Sequence, residues 1–216
     1  KSISGEYHWF GCHYKAITSD AGTVAKVVGK LADISRQRSR EQELREQAMR
    51  DVLTGIYNKA GEKLIDRMVK EKGQGLFLML DLNDFKSIND TMGHAAGDAI
   101  LTEMGRVLKG ACRENDIVAR IGGDEFVMFL PGAFDWQTGK RKIGEIQDSL
   151  RTVMITTWGI RGIRASIGAA LCPEDGMDYE TLFKAADEAM YLDKEQSKNR
   201  NESREAGEEK QDRTIS

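Results

Sequence analysis

The chain has 216 residues and a formal net charge of −3, with 40% hydrophobic and 31% charged residues. This composition excludes a collagen-like, wholly disordered or lipid-embedded chain, and the weakly acidic balance gives no reason to expect a nucleic-acid partner. The apolar runs are far shorter than the roughly 20 residues of a membrane helix. The three cysteines, Cys12, Cys112 and Cys172, lack metal-ligand or disulfide spacing, which fits a reducing cytoplasm.

Two strand-like runs at the beginning of the chain, residues 6–17 and 23–34, surround a turn that ends at Gly22. This pattern predicts a long hairpin, with a positive φ at Gly22. A hairpin is marginally stable alone and must pack on something. Because the chain opens without Met, we expect a fragment whose missing upstream part could carry a membrane anchor.

The segment 35–50 predicts a helix, because it contains five Arg and three Glu and neither Gly nor Pro. Ser35 is expected to cap it. Its apolar stripe is thin and consists of Ile34, Leu44, Ala48 and Val52. Two interpretations stay open: a solvated connecting helix, or a parallel coiled coil that joins two chains.

Helical and strand patterns alternate from Asp51 to Asn199. The apolar spacing predicts helices over 62–72, 99–110, 137–153 and 179–194, and strands over 75–82, 116–121, 126–130 and 163–171. We therefore expect an α+β domain in which helices pack on a mixed sheet. The polar segment 201–216 predicts a disordered tail.

Acidic residues occur where two predicted strands end. Asp81 closes the apolar run 76–80, and Gly122-Gly123-Asp124-Glu125 forms a turn between two strands. Glycines permit a tight turn with positive φ and leave the backbone bare for a ligand. If the strand 75–82 lies beside this hairpin, three carboxylates share one cleft, which favours Mg²⁺ shared with substrate phosphates. The alternative is an ordinary solvated acidic turn.

The segment 84–98 adds groups that suit a guanine nucleotide. Lys86 provides a cation near the acids. Asn89 offers a donor and an acceptor, and the Asp98 carboxylate accepts two parallel hydrogen bonds, which matches the edge of guanine. Asp98 could instead be a first-turn acid favoured by the helix dipole, and His94 is expected to be structural rather than a general base.

Four motifs together resemble the GGDEF-domain diguanylate cyclases, which make cyclic di-GMP from GTP. They are residues 51–58 (DVLTGIYN), 81–101, 120–126 (RIGGDEF), and 186–191 (ADEAMY) followed by Lys194. The resemblance implies a palm-like fold, related to the polymerase palm and to class III nucleotide cyclases. It also implies the domain boundaries 51–200 for the cyclase, with a helical linker over 36–50.

The resemblance assigns roles to individual residues. It implies metal ligation by Asp81, the backbone carbonyl of Leu82, Asp124 and Glu125, with Glu125 also assisting the attacking hydroxyl. It implies guanine binding by Asn89 and Asp98, substrate contact with Gly122 and Gly123, and phosphate binding by Lys86, Lys194 and Lys198. The chain departs from the family pattern at Asp193, Ser197 and Lys198, where the family usually has Ala, Gly and Arg. Lys in place of Arg keeps the charge but loses the planar fork.

Arg113 and Asp116 match the spacing of the family's RxxD inhibitory site, where product binds and arrests the enzyme. Arg113 can clamp a phosphate or guanine, and Asp116 can accept from guanine. The alternative is an ordinary surface ion pair.

The first 35 residues resemble the C-terminal end of a PAS domain, a class that senses ligands or forms dimers. Trp9, Gly22 and the segment 29–35 carry this resemblance.

The resemblance implies a cytoplasmic diguanylate cyclase that condenses two GTP into cyclic di-GMP and two pyrophosphates. It implies Mg²⁺ or Mn²⁺ as cofactor, a homodimer, and cyclic di-GMP as product and inhibitor. The alternatives are a non-catalytic receptor for GTP or cyclic di-GMP, a cyclase that makes a mixed purine dinucleotide, and a purely structural PAS-type dimerisation module. Asp98 favours two guanines, and the acidic turn argues against a structural module.

Overall fold

The structure, a computed structural model, describes residues 7–18, 20, 22–132, 134–158 and 164–194, without the side chains of residues 25 and 155–158. The predicted tail over 201–216 lies outside these described residues. The chain divides into two units, Lys1–Ala48 and Met49–Ser216. Among the described helices, none has the length and apolar character needed to cross a bilayer.

The first unit is the predicted hairpin followed by a helix. Strand β1 (Phe10–Thr18) pairs antiparallel with β2 (Val24–Asp33), and Gly22 between them has a φ of 75°, as the turn residues predict. The role expected for Ser35 is wrong. Its hydroxyl accepts a hydrogen bond from the Trp9 backbone N–H at 2.8 Å rather than capping the helix. The interpretation of the hairpin as the end of a PAS domain stays a prediction.

Helix α1 (Ser35–Ala48) follows the hairpin and buries none of its residues. It ends before Val52, which is fully exposed, so Val52 does not extend the apolar stripe as expected. Leu44 is also largely exposed. The surface of α1 is compatible with both interpretations, a solvated connecting helix and a coiled coil.

The second unit contains four strands and five helices within the described residues. In chain order they are α2 (Gly61–Lys72), β3 (Gly75–Leu82), α3 (Phe85–Met92), α4 (His94–Gly110), β4 (Ile117–Arg120), β5 (Glu125–Pro131), α5 (Trp136–Trp158), β6 (Ala165–Cys172) and α6 (residues 179–194). The sequence pattern missed α3 and placed the beginning of α4 five residues too late. Asp98 consequently lies beyond the first turn of α4, and the interpretation as a first-turn acid is wrong.

The sheet has the strand order β4-β5-β3-β6, and all its ladders over the described strands are antiparallel. The expected mixed character is limited to one isolated parallel bridge, between Tyr57 and Ala119. β3 is central, and seven of its eight residues are buried. Helices cover both faces of the sheet, which explains why β3 is a continuous apolar run rather than an alternating one.

Alternate side chains of β3 enter two separate cores. Leu76, Leu78 and Leu80 belong to a core with α4 and α5, and Phe77 and Met79 belong to a core with α2 and α6. Among the described residues, these two cores contain the buried apolar side chains, and burial of apolar surface is the main favourable contribution to folding. Even-numbered residues of β3 therefore face α4 and α5, and odd-numbered residues face α2 and α6.

Helix α6 lies close against β6, because Gly168 has no side chain. A Cβ at this position would collide with the backbone carbonyl of Ala186, so a larger residue would push the helix away from the sheet. The buried Leu182 and Met190 hold the same face of α6. This packing positions the C-terminal end of α6.

Candidate active site

Strand register brings two of the predicted acids together. Asp81 on β3 lies directly opposite Glu125, the first residue of β5. Asp81 lies on the same face of β3 as Phe77, and Glu125 lies on the same face of β5 as Val127. Both side chains therefore point to the face of the sheet that α2 and α6 cover. Directly opposed side chains in an antiparallel pair have Cβ atoms about 5 Å apart. The predicted approach of Asp81 to Glu125 is therefore confirmed.

One of the two reasons expected for the glycines of the turn, a positive φ, is wrong. Neither Gly122 nor Gly123 has a φ in the left-handed region, so positive φ is not the reason for them. A Cβ on Gly122 would collide with the carboxylate of Glu125, whereas a Cβ on Gly123 would meet no atom of the described residues within 4 Å. Gly122 therefore makes room for the acid of its own turn, and Gly123 leaves open space above the backbone.

The Arg120 side chain holds the turn 122–125 in place by hydrogen bonds. Its Nε and Nη2 donate to the carbonyl of Gly123 at 3.0 and 2.7 Å. Its Nη1 lies 3.2 Å from each carboxylate oxygen of Asp51. Asp51 also accepts from the backbone N–H of Thr54 at 2.9 Å and from its hydroxyl at 2.6 Å. The Arg120 guanidinium therefore joins the motif 51–58 to the motif 120–126.

Lys194, the last described residue of α6, forms an ion pair with Asp81. Its Nζ lies 2.8 Å from Asp81 Oδ1, and the Asp81 side chain is only 14% exposed. The pair lies beside an open cavity of about 500 Å³. The residues that line this cavity are Asp81, Glu125, Asp187, Glu188, Met190, Tyr191, Leu192 and Lys194. It is large enough for a nucleotide phosphate chain and is strongly acidic.

The charges of the site act on one another. Partial burial raises the pKa of the Asp124 carboxyl, and the charge of Asp81 raises it further. The pKa of Glu125 rises for the same two reasons and also because of Asp124. The positive charge of Lys194 opposes both shifts. Asp124 therefore belongs to the same electrostatic group as the opposed pair.

The donor set suits a hard divalent cation without forming a closed cage. In the part of the chain that the structure describes, no three His, Cys, Asp or Glu side chains group closely enough to hold a metal by themselves. Mg²⁺ usually takes only one or two protein carboxylates and completes its octahedron with water and substrate phosphates. Asp81, Asp124 and Glu125, with the Leu82 carbonyl at the end of β3, fit that requirement.

The predicted guanine readers lie on α3 and α4. Asn89 is half-buried, and its side-chain oxygen lies against Gly97, where a Cβ would collide with it. Asp98, which follows Gly97 in α4, is exposed. The absence of a side chain at Gly97 therefore allows the Asn89 amide to pack against α4 one residue before Asp98. Lys86 is exposed near the beginning of α3, and His94, the first residue of α4, is exposed as well.

The predicted inhibitory residues form a tight turn before β4. The Asp116 carboxylate accepts a hydrogen bond from the backbone N–H of Arg113 at 2.8 Å, and the Asp116 backbone N–H donates to the Arg113 carbonyl at 3.1 Å. This arrangement leaves the Arg113 side chain exposed on the surface. The predicted phosphate-binding Lys198 lies outside the described residues.

Sequence reasoning gave no role to several residues that position the site. Asp51 and Arg120 are 69 residues apart, so only the fold joins them. Ser166 is fully buried and donates to the Asn83 side chain at 2.9 Å, which ties the end of β3 to β6. The one sequence signal was that Asp51 and Arg120 both lie within the motifs.

Comparison with known proteins gives consistent results. Residues 48–200 match the family described as "Diguanylate cyclase, GGDEF domain". Diguanylate cyclase DgcS of Shewanella oneidensis is 33% identical over 73% of this chain and 53% of its own length. Diguanylate cyclase TpbB of Pseudomonas aeruginosa is 34% identical over 72% of this chain and 37% of its own length. The chain therefore spans about half or less of these two curated relatives.

A solved structure agrees with these relatives. The coiled coil and GGDEF domain of DgcB from Caulobacter crescentus, in complex with c-di-GMP, superposes with a TM-score of 0.65 at 28% identity. The match covers 75% of this chain and 88% of that one. Because the family match spans well over half of the residues, the chain belongs to the GGDEF-domain diguanylate cyclase family.

Proposed function

We propose that this chain is a diguanylate cyclase that condenses two GTP molecules into cyclic di-GMP and releases two pyrophosphates. The observation that supports this best is the charged group at the end of the sheet. Asp81 and Glu125 are opposed on neighbouring strands, and Lys194 lies beside an open acidic cavity. This combination of carboxylates and an ammonium suits a metal-bound triphosphate.

Each part of the site has a distinct task in this reaction. Asn89 and Asp98 hold the guanine edge through complementary donors and acceptors. Lys86 and Lys194 bind phosphate oxygens. Glu125 accepts a proton from the 3′-hydroxyl that attacks the α-phosphorus of the second GTP. Partial burial and the charges of Asp81 and Asp124 raise the pKa of Glu125, which makes it a stronger base.

The acids Asp81 and Asp124, with the Leu82 carbonyl, would hold Mg²⁺ or Mn²⁺. The ion would neutralise charge that develops on the phosphates. One domain holds one GTP, so two copies of the chain must face each other to bring two nucleotides together. A homodimer held by α1 would provide this arrangement, and its thin apolar stripe makes the association weak and dependent on concentration.

The direct test is incubation of the protein with GTP and Mg²⁺, followed by chromatography of the nucleotides. We expect cyclic di-GMP and pyrophosphate, with a rate that rises faster than linearly with protein concentration. Asp124→Asn should abolish turnover in a folded protein, whereas Asp148→Asn, an exposed acid on α5, should leave it unchanged. Bound GTP without any product would instead identify a receptor module and reject the enzyme.

Guanine selection rests on Asp98. Asp98→Ala should reduce the preference for GTP over ATP, because the carboxylate that accepts from guanine N–H donors is removed. Asp90→Ala, which removes an exposed acid from α3, is the matched control. An unchanged nucleotide preference in Asp98→Ala would reject this role.

We also propose product inhibition at Arg113 and Asp116. The exposed guanidinium next to a fixed carboxylate can clamp a phosphate and a guanine of cyclic di-GMP. Arg113→Ala should raise the product concentration that halves the rate, whereas Lys109→Ala, which removes an exposed cation one turn earlier, should not. Inhibition that persists unaltered in Arg113→Ala would reject the inhibitory site.

A further inference from the structure

The ion pair between Lys194 and Asp81 joins two groups that the proposed reaction uses separately. Asp81 is to bind the metal, and Lys194 is to bind phosphate. In the structure, however, Lys194 Nζ lies 2.8 Å from Asp81 Oδ1. That is the distance of a charge-assisted hydrogen bond, so the ammonium occupies one of the two carboxylate oxygens that Asp81 could offer to a metal ion.

The surroundings of the pair explain why the lysine is there. The cavity beside it is lined by four carboxylates, those of Asp81, Glu125, Asp187 and Glu188. Among the described residues that line this cavity, Lys194 is the one cation. The Asp81 side chain is 14% exposed and that of Lys194 is 31% exposed, so water screens their attraction only in part. A half-buried carboxylate beside other acids needs a counterion.

We infer that Lys194 is the resident counterion of Asp81, which it must leave before Asp81 can bind a divalent metal ion. This inference rests on the proposed function, because it assigns Asp81 to the metal and Lys194 to the triphosphate. The ammonium and a divalent cation repel each other and compete for one carboxylate. The triphosphate offers Lys194 a new anionic partner, so metal and nucleotide bind cooperatively.

The position of Lys194 allows this exchange. It is the last described residue of α6, so its backbone is held by the helix while its long side chain can change rotamer. The close packing of α6 on Gly168 fixes the helix, and the side chain alone has to move. A lysine suits this role, because it is a compact charge on a flexible stem and can exchange partners.

The test measures metal binding without nucleotide. Mn²⁺ affinity is determined by the electron paramagnetic resonance signal of free Mn²⁺ for the wild type, Lys194→Met, Lys194→Arg and Lys184→Met. Removal of the counterion should tighten Mn²⁺ binding in Lys194→Met by about tenfold, within the usual range of coupling between two sites. Lys194→Arg keeps the charge and should bind Mn²⁺ as weakly as the wild type. Lys184→Met, an exposed lysine on the same helix, should change nothing.

A second readout follows the lysine itself. In the wild type, the rate of Lys194 acetylation, measured by mass spectrometry, should rise on addition of saturating Mg²⁺, because the amine leaves the carboxylate. The rate at Lys184 should stay constant. Unchanged or weaker Mn²⁺ binding by Lys194→Met, or an acetylation rate that does not respond to Mg²⁺, overturns the inference.

The outcomes separate the inference from the proposed function. If the wild type makes cyclic di-GMP and Lys194→Met binds Mn²⁺ no more tightly, only the counterion role is rejected. If Lys194→Met binds Mn²⁺ more tightly and the wild type makes no product, the counterion role stands and the proposed activity is rejected. The thermal unfolding midpoint of each variant shows whether it is folded.

Discussion

The loss of the Arg120 guanidinium should destabilise the domain and displace the acidic turn. In Arg120→Met, the Gly123 carbonyl loses both of its donors, and Asp51 loses its ionic partner. Methionine fills a similar volume and keeps the apolar part of the side chain. The variant therefore tests the polar contacts rather than the packing.

The magnitude follows from burial and from the remaining bonds. Hydrogen bonds to charged groups contribute about 1.5–3 kcal/mol each, and the side chains of Arg120 and Asp51 are only 16% and 21% exposed. Asp51 keeps two bonds from Thr54, which limits the loss. We expect a decrease of about 2–3 kcal/mol in the free energy of unfolding, larger than that of a surface ion pair and smaller than that of a fully buried one.

Urea unfolding of Arg120→Met, Asp51→Asn and the double variant measures the pair itself. The double-mutant cycle should give a coupling energy of about 1 kcal/mol or more. Arg106→Met removes an arginine whose side chain is 66% exposed and which pairs with Glu103 on α4, and it should lower the midpoint much less. A coupling energy of zero, or equal effects of Arg120→Met and Arg106→Met, would refute the reasoning.

The same pair predicts a pH dependence. Burial acts to raise the pKa of Asp51, but the hydrogen bonds from Thr54 and the charge of Arg120 outweigh it and lower the pKa below its ordinary value. The ionised form therefore stabilises the fold above the unfolded-state pKa of about 3.9, and this contribution is lost as the pH falls through the lower folded-state pKa. The difference in urea midpoint between the wild type and Asp51→Asn should be constant from pH 7 to 5 and shrink below about pH 4. A difference that stays constant at acidic pH would contradict this assignment.

Two further predictions follow from local packing. Gly97→Ala should weaken the binding of a fluorescent GTP analogue about tenfold, because the new Cβ displaces the Asn89 amide. Gly110→Ala, which meets nothing within 4 Å among the described residues, should bind normally, and equal affinities would reject the packing argument. Burial raises the pKa of the Cys112 thiol to about 11, so at pH 8 iodoacetamide should modify the exposed Cys12 much faster than Cys112, as peptide mass spectrometry would show. Comparable rates would contradict the burial of Cys112.

Elements that depend on neighbouring residues could be predicted from the sequence, whereas contacts between residues far apart in the chain could not. The run 75–82 was predicted as a buried strand, because both faces of β3 are covered and every position but one is apolar. Helix α3 was missed because it has only eight residues and none of them is fully buried. It lies between Asp84 and Gly93, whose φ values of 58° and 84° end regular structure on each side.

The same distinction applies to the residues of the candidate site. The opposition of Asp81 and Glu125 was predicted, because it needed only the assumption that their strands are neighbours. The reason for Gly122 was wrong, because a glycine that provides space and a glycine that provides a positive φ are identical in sequence. The contact between Lys194 and Asp81 joins α6 to the central strand, and no spacing rule predicts it.

The acid of β3 also helps to determine the register of the central strand. A shift by one residue would exchange Phe77 with Leu78 between the two cores, and both cores are apolar, so the hydrophobic residues alone specify the register weakly. The same shift would turn Asp81 away from Lys194 and into the core with α4 and α5, where an unpaired carboxylate costs several kcal/mol or becomes protonated. Asp81, to which we assign metal binding, therefore helps to distinguish the two faces of the strand, and the fold and the proposed site depend on the same alignment.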